Sequence, residues 1–145
     1  MRGVVQRVAR ASVTSEGMVV GSIDSGLCVL VGVTHGDTEA HAAKLAAKLW
    51  HLRIFDDDNG VMNLSVADTS RAVLVVSQFT LYGDCSAGRR PSWTGAARPD
   101  VAEPLVERVV SELRALGATV ATGRFRTNMQ VTLVNDGPVT VIVDL

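Results

Sequence analysis

The chain has 145 residues, 47% apolar and 20% charged, the balance of one globular domain rather than of a disordered segment. A formal net charge of −1 and a pI near 6.3 exclude nucleic-acid binding through a strongly basic fold, while leaving room for a local basic patch. Two cysteines, Cys28 and Cys85, cannot build a disulfide framework, and no apolar stretch approaches the ~18 residues of a membrane span. Arg2, Arg7 and Arg10 break up the N-terminal segment, which has no signal-peptide core. The expectation is a single domain over residues 1–145, in the cytoplasm and off the membrane.

From about Gly3 to Thr14 the residues alternate, with Val5, Arg7, Ala9, Ala11 and Val13 on one face and Gln6, Arg10, Ser12 and Thr14 on the other. This predicts a strand with one anomaly, a guanidinium in the apolar row. Either Arg7 braces main-chain carbonyls or its stem reaches solvent. Ser15-Glu16-Gly17 is a turn and Met18 to Ile23 the returning strand. Leu27 to Val31 is a continuous apolar run, as in strands covered on both faces. A helix is predicted from about Asp37, its N-cap, to His51. Asp56-Asp57-Asp58-Asn59-Gly60 is a turn without the spaced ligands of a calcium loop. Ala72 to Phe79 is a second β-branched run. A second helix follows, with Asp100 and Glu103 as a capping-box-like pair and Pro104 in the first turn. Its buried stripe would be Val101, Leu105, Val109, Leu113 and Leu116, with Gly117 as the stop. Met129–Val134 and Val139–Val143 close the chain as two strands. The predicted fold is α/β, three-layered and mostly β sheet, with two helices packed on one face and another sheet layer or a subunit on the other.

Motifs for metal or nucleophilic chemistry are missing: there is no HExxH, CxxC, phosphate loop or GxSxG elbow. No metal site or cofactor is predicted, and His35, His41 and His51 fit solvated or capping roles. Three segments draw attention. At Ser77-Gln78-Phe79-Thr80 a buried run turns polar, which suits site residues held rigidly by a sheet or an ordinary strand end. Asn135-Asp136-Gly137-Pro138 offers bare main-chain carbonyls or a simple hairpin turn. Arg89, Arg90 and Trp93 combine guanidinium groups with an aromatic ring, which suits phosphates and a stacked base. Arginine clustering is partly compositional, however, because Arg supplies twelve of the fourteen basic side chains.

Gln6-Arg7-Val8, Ala11-Ser12-Val13, Arg53-Ile54-Phe55, Met62-Asn63-Leu64, Ser77-Gln78-Phe79-Thr80-Leu81, Arg90-Pro91-Ser92 and Asn135-Asp136-Gly137-Pro138-Val139-Thr140, taken in order, resemble the D-aminoacyl-tRNA deacylases. The resemblance implies a homodimer, formed through the sheet side, that hydrolyses the ester between a D-amino acid and the acceptor end of tRNA, and also removes mischarged glycine. It implies an active site at the subunit interface, with Ser77, Gln78, Phe79 and Thr80 lining the catalytic pocket. Gly137 and Pro138, in cis and entering from the partner, would select chirality, with Arg7 helping to fix that loop and Met129 and Asn135 as further residues of substrate binding and chiral selection. Arg89, Arg90, Trp93 and Arg126 are candidate RNA contacts. The chain departs from the usual family pattern at Val61, Trp93 and Arg126-Thr127-Asn128. A non-catalytic tRNA-binding dimer of the same fold is the alternative, and a small-molecule esterase a third class.

Overall fold

The computed structural model describes residues 1–145. Its core is a long strand, β1 (Arg2–Ser15), with neighbours on both edges. Along one edge lie β2 (Met18–Ile23) and β3 (Gly26–Gly32), nearly end to end. Ile23 pairs with Ala11 and Gly26 with Val8, so the two short strands form one broken antiparallel partner. Along the other edge runs β8 (Met129–Asp144). From β3 the sheet continues in parallel through β6 (Ala72–Ser77) to β7 (Val120–Thr122).

Parallel neighbours need long crossovers. The first carries α1 (Glu39–His51), the short pair β4 (Phe55–Asp56) and β5 (Met62–Leu64), and the one-turn helix α2 (Val66–Thr69). The second carries a 3-10 turn, Phe79–Tyr82, and α3 (Pro99–Ala115). Both long helices bury their stripes against the same sheet face: Leu45 and Leu49 from α1, and Leu105, Val109 and Leu113 from α3, meet Leu27, Val29, Val73 and Val75. The alternate residues of the same strands, Cys28, Leu74 and Val76, face a second core with Val8, Ala11, Val13 and Ile23. The apolar runs at β3 and β6 are thus covered on both faces.

What covers the second face is the sheet itself. Strand twist curls it into a nearly closed barrel: a Cβ at Gly21 on β2 would lie 2.3 Å from the Thr122 carbonyl oxygen on β7, an approach that only glycine permits. The expected α/β class with helices on one face holds, and the second layer is the far end of the same sheet.

Several local expectations are corrected. The β1 alternation breaks at Ala9, which is exposed while Val8 is buried; a register shift between Val8 and Arg10 changes the phase of the strand. Asp37 does not cap α1. Thr38 does, its N–H donating to His41 Nδ1 at 3.1 Å, because Asp37 is engaged by the Met1 ammonium at 2.7 Å and the Thr34 amide at 2.8 Å. Helix α3 starts at Pro99 rather than Asp100, placing Pro104 beyond the first turn and leaving Asp100 and Glu103 without a capping box. Its buried stripe runs Ala102, Leu105, Val106, Val109, Val110 and Leu113, with Val101 and Leu116 exposed. The two C-terminal strands are one, β8. Strands β4, β5 and β7 and helix α2 were too short to be legible as periodic segments.

Candidate active site

Where β6 ends, its ladder is extended by the Gln78 N–H donating to the Val31 carbonyl at 2.8 Å, and the chain then tightens into the 3-10 turn Phe79–Tyr82. Phe79 and Thr80 thus belong to a turn rather than to a strand. Their N–H groups open that turn and have no intrahelical carbonyl to reach. The turn is tied down from β1: Arg2 donates to the Leu81 carbonyl at 3.0 Å, pairs with Asp144 at 2.6 Å and lies over the Tyr82 ring. Burial, followed by the nearby Asp37 and Asp144 charges, pushes the Tyr82 hydroxyl up to about 12, so Tyr82 stays protonated at neutral pH.

Beside this turn opens a cavity of about 600 Å³ between the ends of β3 and β6, the start of α3 and the turn leading into β8. Ser77, Gln78, Phe79, Trp93, Arg126 and Met129 line it, with Phe125 and small residues at the start of α3. Phe79 and Trp93 meet edge-on at 5.6 Å across its mouth, and both are unusually open for aromatic rings, at 56% and 43% exposed. No carboxylate, imidazole, thiol or lysine borders this space; its one ionisable side chain is that of Arg126. Thr80 is not among the lining residues. Its Oγ1 accepts from Gln78 Nε2, a neutral amide that cannot take a proton from it. Ala96, Ala97, Pro99 and Ala102 were missed as site lining because small side chains carry no chemical signal in a sequence.

A second feature lies away from this cavity. Between the Gln6–Thr140 and Val8–Asn135 pairs, the single residue Arg7 on β1 faces four residues of β8, Asp136 to Val139. The segment is therefore a large bulge in one strand, not a hairpin. Its Gly137–Pro138 peptide is cis, with Gly137 at φ +118°. Asn135 bridges the neck, its Nδ2 donating to the Arg7 and Val139 carbonyls at 3.0 Å each. Arg7, only 7% exposed, donates to the Ile54 carbonyl at 2.8 Å and the Asp136 carbonyl at 3.3 Å. It also pairs with Asp56 at 3.2 Å and Asp136 at 3.3 Å. The bracing alternative for Arg7 is the one realised, since a buried guanidinium is tolerated when its donors are received. Gly137 and Pro138 are exposed and, with Arg7 and Asn135, lie outside this cavity.

The arginine candidates separate. Arg126 and the ring of Trp93 border the cavity, whereas Arg89 and Arg90 are exposed on a loop whose base is the Asp84–Ser92 main-chain pair.

Residues 4–144 match the family model described as D-Tyr-tRNA(Tyr) deacylase. The chain belongs to this family. Its relatives include D-aminoacyl-tRNA deacylases of Streptomyces coelicolor, 60% identical with 100% of both chains covered, and of Thermus aquaticus, 56% identical over 99% of this chain and 95% of that one. Among solved structures, the c-Myc DNA unwinding element binding protein superposes with a TM-score of 0.93 at 37% identity, over 100% of this chain and 99% of the other. A probable eukaryotic D-amino acid tRNA deacylase superposes with a TM-score of 0.84 at 17% identity, over 99% and 98%, which shows a shared fold. The deacylase fold carries no helix long and apolar enough here to cross a membrane.

Proposed function

We propose that this protein hydrolyses the ester of D-aminoacyl-tRNA, releasing the D-amino acid and tRNA, without a side chain acting as nucleophile. The observation that carries the mechanism is the cavity at the end of β6, largely apolar and free of any general base. An aminoacyl ester is already activated, so positioning, polarisation of its carbonyl and a placed water suffice. The Phe79 and Thr80 N–H groups supply the oxyanion site, the substrate's own 2′-hydroxyl orients the water, and Thr80 serves as an orienting group held by Gln78.

Chirality is judged by main chain in this reading. The braced, exposed bulge at Gly137 and Pro138 does not border its own cavity, so it acts on a second copy of the chain across a two-fold axis. There its carbonyls hold the α-amino group and leave no volume for an L side chain, while glycine, with only hydrogen, is admitted. The face for such pairing is the one turned away from the helices. Val4 pairs with Leu30 on one side and Ile142 on the other, and Ile142 is 67% exposed, an apolar row of the kind that marks an interface. Stacking of the terminal base on Trp93 completes the acceptor-end contacts, with Arg89 and Arg90 reaching further along the RNA.

Incubation with D-Tyr-tRNA and L-Tyr-tRNA tests the reading. Release of tyrosine from the D ester alone is expected. Binding of both without release would make the protein a tRNA-binding module, and hydrolysis of free amino-acid esters indifferent to competing tRNA would make it a general esterase.

A further inference from the structure

Next to the apolar cavity lies a second one of about 640 Å³ with no apolar side chain in its wall, formed by Thr14, Glu16, Gly17, Asn128 and Gln130 and sharing Arg126 and Thr127 with the first. It contains two charged side chains. Glu16 is neutralised by Arg124 at 2.9 Å. Arg126 has no carboxylate within ion-pair distance and donates no side-chain hydrogen bond within the chain. Its backbone, at φ +57°, occupies the left-handed region uncommon for residues other than glycine, a kind of outlier that clusters at ligand-binding sites. The turn is secured from below: the buried Ser15 hydroxyl donates to Thr127 Oγ1 at 2.8 Å, and Thr127 donates to the Arg124 carbonyl at 3.0 Å. A fixed turn thus presents one uncompensated cation at the rim joining an apolar chamber to a polar one. On the far side of α3, a third cavity of about 490 Å³ is bordered by Glu103 and Glu107 and also by Arg114 and Arg124, so its charges balance.

We infer that the polar chamber is the subsite for the phosphodiester on the 5′ side of the terminal nucleotide, with the Arg126 guanidinium as its ligand and Asn128, Gln130 and Thr14 as hydrogen-bonding wall. This rests on the deacylase reading and extends it. The acyl ester on one side of the ribose sits in the apolar cavity, the phosphate on the other side sits in the polar one, and Arg126-Thr127 is the partition that the sugar spans. The RNA strand approaches past the β1–β2 turn, whose Glu16 and Gly17 border the polar chamber. Arginine suits this role because its planar fork receives two phosphate oxygens at once.

Two small substrates separate the contributions: D-tyrosyl adenosine, and D-tyrosyl adenosine 5′-monophosphate, esterified on the ribose in both. The protein is expected to favour the phosphate-bearing ester by about tenfold in KM, the size of one charge-assisted contact. Arg126→Ala should erase that preference and Arg126→Lys should retain part of it. With D-Tyr-tRNA, Arg126→Ala should also flatten the logarithmic salt dependence by about 0.7, the single-strand value for one lost contact. A preference that survives in Arg126→Ala, or is absent from the wild type, overturns the inference. If none of these esters is hydrolysed, the deacylase reading fails. The subsite is then decided by binding of an uncharged CCA-ended oligonucleotide: about tenfold weaker binding by Arg126→Ala supports it, and equal binding overturns it.

Discussion

Gly137 bears the tightest constraint of any residue near the bulge. A Cβ there would lie 2.8 Å from Val139 Cγ2 and 3.0 Å from Arg7 Nη2, at a φ of +118° that L side chains rarely adopt. Gly137→Ala is expected to cost about 1–3 kcal/mol in urea denaturation. Because the displaced neighbour is the brace itself, single-turnover hydrolysis of D-Tyr-tRNA should fall at least about tenfold; a variant of wild-type stability and rate would remove the bulge from the mechanism. Cys28 shows a different residue-scale effect. Burial pushes its thiol from the usual value up to about 11, favouring the neutral form in the folded state. Its contribution is therefore intact below pH 9 and is lost as pH rises from 9 towards 11. Iodoacetamide at pH 8 should label Cys85 alone, which is exposed, and both cysteines after denaturation; native labelling of Cys28 would contradict its burial.

Among the elements, α3 and β8 carry the clearest conflicts between local preference and final form. Pro104 sits inside α3, exposed, with no N–H to offer the Asp100 carbonyl, an arrangement disfavoured beyond the first turn. Packing of Ala102, Leu105 and Val106 against α1 and the sheet overrides it. Pro104→Ala should raise stability by about 1–3 kcal/mol, seen as a higher midpoint in thermal melts; an unchanged or lower midpoint would mean the local backbone already accommodates the ring. In β8, the turn chemistry of Asn135-Asp136-Gly137-Pro138 matched a hairpin, yet the halves on either side remain collinear because β1 pairs with both. Four residues then have to leave the line of the strand opposite one, and Arg7 gathers their carbonyl and carboxylate. Local preference named a turn correctly, and the partner strand determined that the chain should bulge rather than reverse.

For the whole molecule, a near-neutral surface directs attention to a few uncompensated groups rather than to a basic field. Of the exposed large apolar side chains, Ile142 on β8 is the most open, at 67%. Strand β8 has no fully buried residue along its length, and the row Leu30, Val4 and Ile142 crosses three strands on the face without helices. A long, apolar edge strand with nothing beyond it is ordinarily covered. Ile142→Lys should leave the fold intact, as exposed substitutions do to within about 0.5 kcal/mol. In sedimentation velocity it should convert a two-copy species into a single-copy one, with D-ester hydrolysis lost in parallel. A wild type that sediments as one copy and is fully active would show that each protomer completes its own site.

The residues alone determined much of this protein. Most of the alternation of β1, the doubly covered runs at β3 and β6, the two long helices, and the polar breaks at Ser77–Thr80 and Asn135–Pro138 are written in side-chain period and type, which act over a few neighbours. Arg7 was conspicuous for the same reason, a residue type at odds with its local pattern. Tertiary structure decided what depends on distant partners: that Arg7 receives Ile54, Asp56 and Asp136, that β8 is a single bulged strand, that Asp37 serves Met1 instead of α1, and that Arg126 stands between two chambers. Hydrogen-bond donors and buried surface are satisfied by whatever the fold brings within reach, and a sequence does not record which distant group that will be.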